Sequence, residues 1–204
     1  MIESERGEIR VMKKHFETEL PAGYREAYTV DAKSKKVEVL FTLGSLLLTA
    51  AIFAVAALII RPQGFMDHYS ISRNLIALGA MVAYIILHEL THGAAYKLLT
   101  RQKLTFGFTL TVAFCGVPEI YVYRTAALIS LLAPFVVFDV VFGLAAALLR
   151  DPWDKTYAAF LLALHIGGCI GDLYGTGLYL FRFRDGRTLM RDTGPKQTFY
   201  VPEE

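Results

Sequence analysis

The sequence predicts an all-α membrane protein, a bundle of four transmembrane helices with a short β-hairpin between helices two and three. Three observations predict it. Of 204 residues 54% are hydrophobic and only 20% are charged. With glycine scored in place of tyrosine the apolar share is about 56%, against roughly 45–50% for soluble domains. The charges crowd into the first 38 positions and the last 23, leaving long apolar runs between them. One loop between those runs is rich in aromatic and β-branched residues instead of polar ones. The composition excludes disorder, collagen and coiled coil. Two cysteines 54 positions apart, Cys115 and Cys169, give neither a disulfide framework nor zinc-ribbon spacing. A net charge of +2 gives no reason to expect a nucleic-acid partner.

The first apolar run, 39–60, holds 22 residues without a charge, enough to cross about 30 Å of hydrocarbon at about 1.5 Å per residue. It follows 38 mostly polar residues and is too long for the core of a cleaved signal peptide, so it is expected to stay in the protein. Further spans fall at 75–99, 125–149 and 157–181. This gives an N-terminal segment 1–38, a transmembrane domain 39–181 and a C-terminal tail 182–204. Sorted by the sides these spans define, the 21 Lys and Arg divide 17 to 4. Positive charge is retained on the cytoplasmic side, so both termini and the second loop are expected there, and spans two and four then run in the same direction. The tail residues Arg182, Arg184, Arg187 and Arg191 sit where they would meet anionic lipid headgroups, as an ordinary positive-inside anchor does.

Within the second loop, residues 106–114 and 120–123 read as the arms of a hairpin, joined through Gly116 and Pro118. Backbone this apolar cannot leave its amides unpaired in lipid. It is therefore expected against protein or beside a wet cavity.

The chemistry lies in span two, which contains His88-Glu89-Leu90-Thr91-His92. Histidines four apart share one helical face about a turn from each other, so two imidazoles can hold one metal ion. Glu89 is offset by about a hundred degrees, which lets its carboxylate serve a metal-bound water without becoming a ligand. A charged group at mid-bilayer costs at least about 2.5–3.5 kcal/mol, a penalty that points to function or pairing. A third ligand must come from polar residues in the other spans: Asp139, His165, Cys169 or Asp172. Depth ranks them. His88 and His92 lie 13 and 17 residues in from the outer end of their span, and Asp172 lies 15 residues into a parallel one. Asp139 and His165 fall about 7–10 Å higher and match each other better than the metal. His165, Cys169, Asp172 and Thr176 form one polar stripe that should face the bundle interior. Gly167, Gly171 and Gly175 beside it invite a close helix. Cys169 reads as packing, Pro134 as a kink, and Tyr84 and Tyr96 need no special role.

A His88-Glu89-x-x-His92 helix with an aspartate in a later span resembles the site-2 protease class of intramembrane metalloproteases. Closer still, His88-Glu-Leu-Thr-His-Gly93, Ala133-Pro134, Gly171-Asp172-Leu173 and Asp192-Thr193-Gly194 are similar to a bacterial family of zincin-type membrane peptidases. The resemblance covers about residues 20 to 200. It implies His88, His92 and Asp172 as Zn2+ ligands, Glu89 as general base, and hydrolysis of membrane-spanning protein or peptide substrates at the bacterial plasma membrane. His165 and Asp139 remain candidates for hydrogen-bonding a ligand or substrate. The same donors would also suit a metal transporter or a catalytically silent scaffold. The chain lacks the Asn- and Pro-rich approach to the aspartate seen in site-2 proteases and has no PDZ-like domain.

Overall fold

Three apolar helices and a fourth, bent one account for most of the structure, a computed structural model describing residues 15–61, 67, 69–109 and 112–203. Residues 1–14, with four of the basic residues counted above, lie outside the described residues, as do 62–66, 68, 110–111 and 204. The long helices are α1 (Lys35–Ile60), α2 (Ile71–Thr100) and α3 (Arg124–Leu148). The expected fourth span is a bent pair of helices: α4 (Pro152–Gly168) gives way at Cys169 to α5 (Ile170–Gly177) and a π-helical turn (Leu178–Arg182), with a bend of 44°. Glycines at 167, 168 and 171 flank the break, where helix is least favoured.

The caps are legible in the chain. Ser70 accepts the Arg73 amide at the start of α2. Asp151 accepts the Trp153 and Asp154 amides at the start of α4, where Pro152 occupies the first turn. These two ends are also tied together. Arg73 Nη1 donates to Asp151 Oδ1 at 2.9 Å, and the Tyr157 hydroxyl donates to the Ala77 carbonyl. Helices α2 and α4 therefore start at the same end and run in the same direction. No residue of α1 is buried, and Leu40, Leu43, Leu46, Leu47, Leu58 and Ile59 are exposed.

The glycine stripe admits a close helix, as the sequence suggests. A Cβ on Gly167 would run into Thr49 Oγ1 and the Ser45 carbonyl, and one on Gly171 would touch Phe41. Both neighbours are on α1, so the close approach joins α1 to the fourth span, while α2 packs against α3. Gly175 meets Leu131 and Gln197 instead.

The all-α expectation needs correction. Strands β1 (Phe16–Glu17), β2 (Tyr24–Asp31), β5 (Tyr121–Tyr123), β6 (Leu189–Asp192) and β7 (Lys196–Pro202) form an antiparallel sheet in the order β1-β5-β6-β7-β2. The two ends of the chain thus pair directly, with Tyr28 opposite Phe199 and Val30 opposite Gln197. The tight turn between β6 and β7 uses Gly194 at φ +93°, a conformation glycine alone adopts cheaply. The expected hairpin is also displaced. It joins β3 (Thr105–Phe108) to β4 (Ala113–Gly116), and residues 121–123 leave it for the larger sheet. The Gly116–Pro118 stretch is the exit from the hairpin, and the Val117 amide donates to the Asp192 carbonyl. Tyr96, Val117, Val122, Leu131, Tyr179 and Phe199 make the core where the sheet meets the helix ends.

Replacing Gly167 with Val should force α1 away from α4, because one of the atoms in the way is backbone. Overpacking of this kind costs about 1–3 kcal/mol. A lowered thermal midpoint of the detergent-solubilised protein checks it, with Gly143→Val, which meets nothing within 4 Å, as the control.

Candidate metal centre

Helix α2 presents His88 and His92 one turn apart, with ring centroids 4.9 Å from each other. The bend after α4 brings Asp172, on the first turn of α5, against both. Asp172 Oδ2 is 3.4 Å from His92 Nε2 and 3.6 Å from His88 Nε2. One ligand atom from each of the three residues lies within 4.8 Å of the others. Both imidazoles are buried, and the Asp172 side chain is 18% exposed.

The second nitrogen of each ring decides which one is free for a metal. His92 Nδ1–H donates to the Ser130 carbonyl of α3 at 2.7 Å, and a carbonyl can only accept. His88 Nδ1 stands 3.4 Å from the Tyr84 hydroxyl. With each Nδ1 engaged elsewhere, each Nε2 is left to face Asp172. This is the arrangement that orients histidine ligands in metalloproteins. Two neutral imidazoles and a carboxylate from separate helices suit a divalent zinc with one position open.

Glu89 shares a cavity of about 690 Å³ with His88, His92 and Asp172. The cavity lies between α1, which contributes Phe41 and Ser45, and α2, and the hairpin residues Phe108 and Phe114 border it. The Cys115 backbone amide lies beside the Glu89 carboxylate, so the hairpin forms part of the glutamate's surroundings. The Cys115 thiol is pushed up to about 12 by burial, which leaves it a poor nucleophile.

The other sequence candidates gather outside the cavity lining. His165 is fully buried. Its Nε2–H donates to the Phe135 carbonyl at 3.3 Å and lies 3.6 Å from Asp139 Oδ1. Its Nδ1 accepts from the Tyr84 hydroxyl at 2.9 Å. Tyr84, given no role by the sequence, therefore stands between His88 and His165. Cys169 Sγ is 3.6 Å from His165 Nδ1, and His88, His165 and Cys169 form a second group of closely spaced donor atoms. That group shares His88 with the first. Its other two members are fully buried and do not line the cavity, so the set containing Asp172 is the one with room for water and substrate.

Two further residues near the centre carry little local signal. The Ser130 carbonyl is a backbone group and leaves no trace in residue type. Asp192, on β6, lines the same cavity with each carboxylate oxygen partnered: Oδ2 accepts from Tyr96 at 2.6 Å and Oδ1 from the Gly194 amide at 2.8 Å. Burial raises its pKa to about 6, against the opposing pull of these two donors. Its Asp-Thr-Gly context was the visible hint.

Paired histidines around a glutamate, completed by a carboxylate from another helix, form the donor set of a zincin-type metallopeptidase. The chain belongs to the family described as "Putative zincin peptidase", whose model matches residues 81–186, just over half of its length. The matched stretch contains His88, Glu89, His92, Pro134, Asp139, His165 and Asp172, and it excludes α1 and the strands contributed by the chain ends. No curated protein and no solved structure matches the chain.

Asp172→Ala should abolish stoichiometric zinc binding by the purified protein. Tyr84→Phe should retain a full equivalent at about 10-fold or more weaker affinity, the usual loss when a hydrogen-bond partner of a ligand is removed. Chelator competition followed by metal analysis measures both.

Proposed function

We propose that the protein is a zinc-dependent intramembrane peptidase that hydrolyses peptide bonds of membrane-embedded protein or peptide substrates. The observation that carries this reading is the convergence of Asp172 on the Nε2 atoms of both histidines, with Glu89 on the same cavity. His88, His92 and Asp172 would hold the ion. Zinc held there supplies Lewis-acid polarisation of the scissile carbonyl and acidifies the attacking water. Glu89 takes the proton from that water as its oxygen adds to the carbonyl carbon. The same carboxylic acid then delivers the proton to the departing amine nitrogen as the carbon–nitrogen bond breaks.

A substrate within the bilayer has to reach this cavity sideways. The position of the cavity between α1 and α2 supports entry there, since α1 is held mainly by the fourth span. The bordering hairpin supports capture of an unwound segment as an added strand, because only extended peptide exposes its carbonyl. In this reading the protein resembles site-2 proteases in mechanism and uses its hairpin where they differ in sequence.

The same reading places both termini in the cytoplasm, with lipid around the exposed apolar helices. The 17-to-4 division of basic residues supports this side, and the sheet shared by both chain ends and the second loop supports their lying together. Cleavage then falls on the cytoplasmic half of the substrate.

Glu89→Gln should abolish cleavage of single-span substrates in proteoliposomes while leaving one zinc bound per chain. Retained cleavage would eliminate Glu89 as the base. Zinc accumulation inside the vesicles with no peptide product would instead identify a transporter.

A further inference from the structure

Helix α3 contains Pro134 at a fully buried position, and the helix continues unbroken on both sides of it. A proline inside a helix costs about 3 kcal/mol, since it has no N–H to give to the carbonyl four residues earlier and its ring presses on that carbonyl. Here that carbonyl belongs to Ser130. Ser130 is 0% exposed, so water does not take the place of the missing donor. An unpaired buried carbonyl adds its own penalty.

The missing donor is replaced from another helix. His92 Nδ1–H occupies the Ser130 carbonyl at 2.7 Å, a short hydrogen bond for this pair of atoms. In an uninterrupted helix the same oxygen would accept the amide of residue 134, and the imidazole would have to share it. The two residues of the zincin motif are thus held differently. His88 meets a side chain, Tyr84, whereas His92 meets a backbone carbonyl that the residue four positions later leaves without its helical donor.

We propose that Pro134 is a positioning residue for the metal centre. By lacking an amide hydrogen it reserves the Ser130 carbonyl for His92 Nδ1, which fixes the ring with Nε2 toward Asp172 and the metal. The proposal rests on the reading of His92 as a metal ligand. It assigns the proline a role beyond bending the helix, and the two roles separate experimentally. Alanine and glycine both restore the N–H, while glycine keeps the backbone freedom that a bend requires.

The test uses the full-length protein in detergent, with zinc affinity read by competition against a chromophoric chelator. Pro134→Ala and Pro134→Gly should each lose about 10- to 100-fold in affinity, the range for removing an orienting partner from a metal ligand. Their thermal midpoints should equal or exceed that of the wild type, since each regains a helix hydrogen bond. Wild-type affinity in both variants, or loss in the alanine variant alone, would overturn the proposal, the latter by assigning the effect to the bend. Nitrogen-15 shifts of labelled histidine in the unmutated protein give an independent reading: a His92 ring protonated at Nδ1 is expected, and one protonated at Nε2 would also overturn it. A wild type that binds no zinc would instead end the reading of the site itself, a distinguishable failure.

Discussion

A carboxylate inside an apolar bundle has to be met by partners of opposite or complementary character, and the organisation of this protein follows from how Asp172 is met. Its oxygen lies within 3.6 Å of both histidine Nε2 atoms, which belong to a different helix. Satisfying that contact requires α2 and the fourth span to meet at one level, and the Arg73–Asp151 pair at their common end sets their relative height. It also requires the fourth span to change direction near the level of the histidines. The glycine-rich break at Cys169, three residues before Asp172, provides that change.

Around this contact the protein uses backbone groups where many metal sites use side chains. The Ser130 carbonyl holds His92, and the Phe135 carbonyl holds His165. Backbone groups suit a buried site among apolar helices, because they add no further charge to be desolvated. The side chains that do take part, Tyr84 and Tyr96, bring large apolar rings with a single hydroxyl each. The hairpin joins the two halves of the site, since its edge borders the cavity while its exit strand ties into the sheet built from both chain ends.

Much of this was legible in the residues. Uncharged length marked α1 to α3 to within a few positions of their ends, and helical spacing put the two histidines together. Counting residues from the outer ends of parallel spans brought Asp172 to their level and left Asp139 beside His165, as their positions now stand. What stayed hidden was non-local. Tyr28 and Phe199 pair across 171 positions, and no local pattern announces a sheet closed by the two ends of a chain. The hairpin was misplaced because residues 121–123 have strand character whichever partner they take. Pro134 showed as a proline but not as the reason a particular carbonyl is free, since the partner of that carbonyl is a side chain 38 positions away.

X-ray absorption at the zinc edge of the purified, metal-loaded protein tests the central claim most directly. The account predicts a shell of nitrogen and oxygen at about 2.0–2.2 Å with two imidazoles and no sulfur. A sulfur scatterer near about 2.3 Å would place the ion on Cys169 and His165 and contradict the assignment to His88, His92 and Asp172.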